Sequence, residues 1–315
     1  MIQAIRRALT MLFLAITLPA FGNVVEVMSF GSNPGNLRML KYVPPQASAG
    51  SPLIVVLHGC GQSAMGHATA SGWLELAQRG PSVLLLPEQK RRNNFARCFN
   101  WFRPQHLEPG SGEMLSIQQM IEQMITDHAV DPARVFVTGV SAGGAMAGAL
   151  LAGHPETFAG AGLIATVPYG CASGPVHAIA CMRGRKRPRG QDWGASVKAV
   201  SEHRARRPIV SIWHGSDDRI VNPINAENLV QQWTGAHGID SQADTETMVA
   251  GHRRRVYQDQ NGEPRVEMYL VSGMGHGTPV DPGDEPEQCG QDSYFFPDAN
   301  ICASYYISAF WGLVR

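Results

Sequence analysis

The sequence has no surplus of either charge, because its 315 residues include 26 lysines and arginines and 26 aspartates and glutamates. A protein that binds nucleic acid through its phosphates usually carries a basic excess. We therefore expect no nucleic-acid partner. Beyond the first 22 residues there is also no apolar run near the ~20 residues that a membrane-spanning helix needs, so we expect no stable membrane anchor in the rest of the chain.

Short metal-binding motifs are missing as well. The chain has neither a C-x-x-C pair nor an H-E-x-x-H sequence, which are common signatures of zinc sites. We expect neither a metal nor a cofactor, and any chemistry must come from ordinary side chains.

The first 22 residues have the layout of a secretory signal peptide. Arg6 and Arg7 precede an apolar run, residues 8–20, which is followed by small residues of the kind found at cleavage sites. An uncleaved N-terminal anchor is the alternative, but the run is shorter than a membrane span. We expect a secreted protein, extracellular or periplasmic, in which residues 23–315 form a single domain.

Six cysteines lie in the part that would be exported. An even number in an oxidising compartment favours disulfides. Six cysteines allow about 15 pairings, but here they fall into three neighbourhoods along the chain. This grouping predicts the pairs Cys60–Cys98, Cys171–Cys181 and Cys289–Cys302.

Apolar runs that fit strands alternate with stretches of helical spacing. Residues 53–57 are all apolar, as in strands buried on both faces of a parallel sheet. The alternation predicts an α/β fold with a mostly parallel central sheet and helices on both faces. Residues 171–208 lack a clear pattern and are expected to form an insertion over the active-site face. Strands are predicted at 24–29, 37–43, 53–57, 83–86, 134–138, 163–166, 209–213 and 266–271, and helices at 67–79, 113–130, 142–153, 223–235 and 305–314.

The pentapeptide Gly139-Val140-Ser141-Ala142-Gly143 lies between a predicted strand and a predicted helix. In that setting it matches the nucleophile elbow of the α/β-hydrolase fold, where a sharp turn exposes the serine hydroxyl. The helix N-terminus also places partial positive charge near a developing oxyanion. We predict Ser141 as a nucleophile; the alternative is a glycine-rich turn with an idle serine.

A serine hydroxyl needs a base to take its proton, and in this fold an acid and then a histidine follow the serine along the chain. Asp217 and Asp218 both follow the predicted strand 209–213, and the residues alone leave both open as the acid. His276 follows the last predicted strand within a glycine-rich loop, so it is predicted as the base. The other later histidines are His237 and His252.

An oxyanion needs backbone N–H donors. We predict the N–H of Ala142, directly after the nucleophile, and that of Cys60, in the glycine-rich loop after strand 53–57. His58 and His214, at strand ends, are predicted to hydrogen-bond neighbouring loops.

Two further features concern the substrate. Trp101 and Phe102 are predicted to line an apolar acyl or phenolic pocket, the alternative being ordinary core aromatics. Residues 183–189 contain four arginines and a lysine. Most such runs are solvated loops, and the functional alternative is attraction of an acidic substrate to the rim of the site.

Several segments together resemble polyhydroxybutyrate (PHB) depolymerase-type esterases, a family that includes feruloyl and acetylxylan esterases and some polyaspartate hydrolases. The resemblance implies a Ser-Asp-His triad of Ser141, Asp218 and His276. It selects Asp218 because this acid falls three residues after the glycine of the second His-Gly pair. The segments are His58-Gly59-Cys60-Gly61-Gln62-Ser63, Cys98-Phe99-Asn100-Trp101-Phe102, and residues 135–147, 213–223 and 302–313.

The resemblance implies a secreted serine esterase that cleaves hydroxyalkanoate oligomers. Many extracellular members add a C-terminal substrate-binding domain, whereas the catalytic region here extends to Arg315. We therefore expect a soluble oligomer or small ester as substrate rather than a solid polymer. The alternatives are a feruloyl or acetylxylan esterase, a polyaspartate-type polyanion hydrolase, and an inactive secreted binding module.

Overall fold

Ten strands of the described residues form one mixed sheet in the order β1-β2-β4-β3-β5-β6-β7-β10-β9-β8. The computed structural model describes residues 23–185, 192–200 and 207–314, so the predicted signal peptide lies outside the described residues. The six strands from β4 to β10 in this order are parallel, and antiparallel pairs extend both edges. The strands are β1 Val25–Val27, β2 Arg38–Tyr42, β3 Leu53–Leu57, β4 Val83–Glu88, β5 Val135–Val140, β6 Gly160–Ile164, β7 Ile209–Gly215, β8 Thr245–Val249, β9 His252–Gln258 and β10 Pro264–Val271.

Helices cover both faces of this sheet, as the sequence predicts. None of the helices in the described part of the chain is both long and apolar enough to cross a membrane. The helices are α1 Ala64–Ala70, α2 Trp73–Arg79, α3 Gly112–His128, α4 Ala142–Gly153, α5 Pro175–Met182, α6 Trp193–Lys198, α7 Ile224–His237 and α8 Ala303–Phe310.

The alternation of side chains along each strand creates two apolar cores. Val55 and Leu57 of β3 pack in one core with α3, α4 and α7. Ile54 and Val56 of the same strand pack in the other core with α1, α2 and α8. Because successive side chains of a strand point to opposite faces, the unbroken apolar run supplies both cores at once.

The structure departs from the predicted elements mainly in two places. The predicted helix 67–79 is two helices, because Gly72 adopts a left-handed φ of 84° and the hydroxyl of Ser71 donates to the carbonyl of His67. Strands β8 and β9 were not predicted, because they form an edge of the sheet and carry mainly exposed or charged side chains. Residues 171–208, which lack a clear pattern, contain α5 and α6.

Disulfides connect all six cysteines in the three predicted pairs. Cys60–Cys98 connects the loop after β3 to the long loop between β4 and α3. Cys171–Cys181 closes the segment that carries α5, and Cys289–Cys302 connects the loop before α8 to the start of that helix. Two of the three bonds therefore fasten loops at the carboxyl edge of the parallel strands.

Candidate active site

Ser141 lies at the turn from β5 into α4 with φ of 56° and ψ of −118°. A positive φ is unfavourable for a residue with a side chain, and such strain is found where the surrounding structure imposes it. The Ser141 N–H donates to the carbonyl of Ile164 at 2.9 Å. Its own carbonyl accepts from the hydroxyl of Thr166 at 2.8 Å. These bonds to the end of β6 hold the turn.

The two glycines of the pentapeptide are needed for close approach of backbones. A Cβ on Gly143 would overlap the carbonyl oxygen of Leu57 and lie 2.6 Å from that of His58. A Cβ on Gly139 would lie 2.5 Å from the carbonyl carbon of Gly143. The absence of side chains therefore lets the start of α4 lie directly against the loop that leaves β3.

Asp218 and His276 are joined across the ends of β7 and β10. The Nδ1–H of His276 donates to Oδ2 of Asp218 at 2.7 Å. The other oxygen, Oδ1, accepts from the backbone N–H groups of Ile220 and Val221, both at 2.9 Å. With 4 % of its surface exposed, Asp218 is fixed in position by donors on both oxygens.

The pKa of Asp218 reflects two opposing influences. Burial would raise it, but hydrogen bonds from His214 and His276, the charge on His276 and the Val221 N–H together hold it well below its ordinary value. Hydrogen bonds to the charged form of a carboxyl favour that form. Asp218 is therefore ionised over the whole neutral and mildly acidic range.

The other candidate acid and the other candidate histidines lie elsewhere. Asp217 is exposed and accepts a hydrogen bond from the hydroxyl of Ser216. His237 contacts the carbonyl of Pro208, and His252 contacts that of Ala299. Among these residues, only Asp218 and His276 form an acid–imidazole pair.

Two cavities meet at Ser141. One, of about 240 Å³, also contains His276, Gly59 and Phe295. The other, of about 270 Å³, contains Ala142 and Thr166 but not His276. No hydrogen bond joins the side chains of Ser141 and His276 within the described part of the chain, and such contacts often tighten only when substrate binds. The wall residues shared by both cavities are Cys60, Ser141 and Met182.

The predicted oxyanion donors lie beside the serine. Cys60 borders both cavities, and Ala142 borders the second. The loop of Cys60 is fixed by its disulfide to Cys98 and by the bond from the Gly61 N–H to the carbonyl of Ala96 at 2.7 Å. Within the described residues, no acceptor is paired with the N–H of Cys60 or that of Ala142.

A buried polar network lies behind this loop. His58 donates from Nδ1 to the carbonyl of Gly59 at 2.7 Å and accepts on Nε2 from the N–H of Gln89 at 3.1 Å. The Gln89 side chain donates to Glu113, which also accepts from the N–H and the side chain of Asn100. Burial lowers the pKa of His58 and raises that of Glu113. As predicted, His58 is a structural residue that ties two loops together.

Trp101 and Phe102 line the second cavity, where their rings meet edge to face at 5.6 Å. The sequence does not reveal the opposite wall, which comes from α5 through Ala178, Ile179 and Met182. These positions have no motif, and only the fold brings them within reach of Ser141. Of the predicted basic run, Arg183 and Arg185 are exposed beside this wall, and residues 186–189 lie outside the described residues.

The architecture has a counterpart among solved esterase structures. An acetyl xylan esterase from Aspergillus awamori superposes with a TM-score of 0.74 at 25% identity, covering 81% of this chain and 94% of the other. The sheet order, the strand-to-helix turn at Ser141 and this likeness define an esterase with an α/β-hydrolase fold, and therefore a carboxylic ester hydrolase.

Sequence comparison gives the family. The family model described as Esterase PHB depolymerase matches residues 37–258. Poly(3-hydroxyalkanoate) depolymerase C of Paucimonas lemoignei is 43% identical over 304 residues, which are 96% of this chain and 73% of the relative. Feruloyl esterase B of Thermothelomyces thermophilus is 30% identical over 81% of this chain and 88% of the relative. The chain belongs to the PHB depolymerase esterase family.

Proposed function

We propose that the protein is a secreted serine esterase that hydrolyses hydroxyalkanoate oligomers through a Ser-His-Asp acyl-enzyme mechanism. The observation that carries this proposal is the 2.7 Å bond from His276 to Asp218 beside a cavity that also contains Ser141. Triads are recognised by such geometry and by the role of each member.

The mechanism has two acyl-transfer steps. Nε2 of His276 takes the proton of Ser141 while Oγ attacks the ester carbonyl, and the imidazolium then protonates the leaving alcohol. Asp218 fixes the ring so that Nε2 is free for this proton, because Nδ1 donates to Oδ2. Water, activated by the same ring, then hydrolyses the acyl-serine.

The oxyanion of each tetrahedral intermediate would be stabilised by the N–H groups of Cys60 and Ala142. Preorganised donors cost no reorganisation at the moment of reaction and contribute strongly in a water-poor site. The disulfide to Cys98 and the bond from Gly61 to Ala96 supply that preorganisation for Cys60. This set of groups needs no metal or cofactor.

The choice of substrate follows the most similar relative described above, a poly(3-hydroxyalkanoate) depolymerase at 43% identity. A feruloyl ester is the second candidate, because the cavity beside Trp101 and Phe102 has about 270 Å³ and aromatic walls that suit a phenolic ring. Secretion is supported by the three disulfides, since such bonds persist mainly in oxidising compartments.

The test combines active-site labelling with a substrate panel. A fluorophosphonate should label the wild type and not Ser141→Ala, which should lose about 10⁵–10⁶-fold in kcat with its fold intact. Turnover of hydroxybutyrate oligomers well above that of methyl ferulate supports the first substrate class, and the reverse order supports the second. Retention of a tenth of the activity by Ser141→Ala rejects the mechanism.

A further inference from the structure

His276 lines one of the two cavities at Ser141 and not the other. The imidazolium must protonate the leaving oxygen, so the leaving fragment has to lie on the side of the serine where His276 lies. That side is the cavity of about 240 Å³, which His276 lines. The cavity with Trp101 and Phe102 does not include His276, so it receives the acyl fragment.

The leaving side continues into two further cavities. One of about 280 Å³ shares His276, Ile220 and Phe295 with the first and adds Arg219. The next, of about 360 Å³, shares Ile220 and Arg219 and is lined by Arg183 and Arg185. A path therefore leads from the serine, past His276, to three guanidinium groups.

The side chains of these three arginines stabilise no other part of the described structure. All are exposed, and no side chain or carbonyl within the described ranges forms an ion pair or hydrogen bond with their guanidinium groups. Two acids lie nearby. Asp218 lines the same cavity as the arginines, but its oxygens already accept from the backbone of Ile220 and Val221 and contact His276 and His214. Asp217 borders the neighbouring cavity and not this one. A guanidinium presents two parallel donors that match a carboxylate.

The direction of a polyester chain decides which of its two ends can reach these arginines. Each ester joins the carbonyl of one hydroxyacid to the hydroxyl of the next, so the chain has one hydroxyl end and one carboxylate end. Cleavage breaks the bond from the carbonyl carbon to the ester oxygen and forms a bond from that carbon to Oγ of Ser141. The serine proton passes through His276 to the departing oxygen. The leaving alcohol therefore always carries the carboxylate end.

We propose that Arg183, Arg185 and Arg219 form a subsite for the terminal carboxylate of the leaving fragment. The enzyme then acts preferentially near the carboxylate end of short, soluble hydroxyalkanoate oligomers. This inference rests on the proposed function, because it requires the serine, the histidine and the substrate class stated there.

A pair of substrates tests the subsite. One is the hydroxybutyrate trimer with its free carboxylate, and the other is the same trimer capped as a terminal primary amide, which is neutral and adds no ester. We expect kcat/KM for the acid to exceed that for the amide by about fivefold to tenfold, as three exposed ion pairs would give together. The preference should weaken with added salt, because exposed charges are screened.

Variants locate the effect. The triple substitution Arg183→Gln, Arg185→Gln, Arg219→Gln should bring the ratio of acid to amide close to one. The corresponding triple lysine variant should keep part of the preference, since lysine retains the charge without the paired donors. Arg134→Gln is the matched control. Arg134 is exposed and directly precedes β5, whereas Ser141 directly follows the carboxyl end of that strand. This substitution should leave the ratio unchanged.

The outcomes separate this inference from the proposed function. Equal kcat/KM for acid and amide in the wild type, or a preference that survives in the triple glutamine variant, overturns the subsite and leaves the proposed function standing. If neither trimer is hydrolysed while fluorophosphonate still labels Ser141, the substrate class is wrong and the subsite falls with it.

Discussion

Nε2 of His214 lies 3.3 Å from Oδ2 of Asp218, the same oxygen that accepts from His276 at 2.7 Å. His214 is completely buried at the end of β7, and its Nε2 also lies 2.9 Å from the carbonyl of Val221. A single N–H therefore supports both the carboxylate and the loop that carries it. His214 is a positioning residue for the proposed acid, in line with the structural part predicted for it from the sequence.

Removing this donor should weaken catalysis without removing the triad. We expect His214→Phe to lower kcat by about tenfold, because the loss of one hydrogen bond to a charged group costs about 1.5–3 kcal/mol, of which part reaches the transition state.

Steady-state kinetics on one ester measure this loss of kcat, and the conservative variant His214→Gln should restore part of it by donating from its amide. A His214→Phe enzyme with lower thermal stability, but with wild-type kcat, would show that His214 serves packing alone.

The glycines of α4 give a second prediction. Gly143→Ala should abolish activity and destabilise the fold by about 1–3 kcal/mol, because its Cβ would press on the carbonyl groups of Leu57 and His58 and displace the loop of Cys60. Gly148→Ala, in the same helix, meets nothing within 4 Å. It should keep full activity and gain up to about 1 kcal/mol from better helix propensity.

Thermal unfolding and esterase assays on the two alanine variants test this contrast. Comparable activity in both would mean that the contact between α4 and the loop after β3 does not control the site.

How far the sequence predicts the site depends on how local each feature is. The turn at Ser141 is predictable, because a buried strand, glycines and a helix follow one another within a few residues. The residues alone do not decide between Asp217 and Asp218 as the acid. Both follow β7, and only in the folded protein is one of them, Asp218, buried. The same limit applies to Met182, which reaches both cavities from α5. Strands β8 and β9 escape prediction because β8 is an exposed edge strand and β9, beside it, carries three consecutive arginines and little apolar alternation.

Buried histidines give a third prediction, on stability against pH. Burial lowers the pKa of His67 to about 3 and, with smaller contributions from other groups, that of His237 to about 4. In the unfolded chain a histidine has a pKa of about 6.5. Between these values the unfolded chain binds protons that the folded protein does not, so the free energy of unfolding should fall as the pH drops from about 6.5 towards 3.

Each histidine contributes at most about 1.4 kcal/mol per pH unit to this slope. His67→Leu removes one titrating ring from a fully buried position beside Phe296, and it should flatten the dependence of unfolding free energy on pH. Urea unfolding at several pH values measures the slope. Parallel curves for the wild type and His67→Leu would show that the pKa of His67 is the same in the folded and the unfolded protein.

The Cys60–Cys98 disulfide should act on both stability and catalysis. Its cysteines are 38 residues apart, so replacing both with alanine should cost about 4 kcal/mol in unfolding free energy through the entropy of the unfolded chain. It should also lower kcat by about tenfold to 100-fold with little change in KM, because the N–H of Cys60, a proposed oxyanion donor, loses its fixed position, and such a donor is worth about 10²–10³ in rate.

The matched comparison is the double alanine variant of Cys171 and Cys181, which are 10 residues apart, with Cys181 in the last turn of α5. It should cost a similar amount, about 3 kcal/mol, but it should raise KM rather than lower kcat. Ile179 and Met182 of α5 line the cavity that contains Trp101 and Phe102, and neither residue is a proposed oxyanion donor. Steady-state kinetics on one ester, at a temperature where both variants remain folded, separate the two effects. The same pattern of kcat and KM in both variants would mean that the disulfides stabilise the fold without positioning the oxyanion donor.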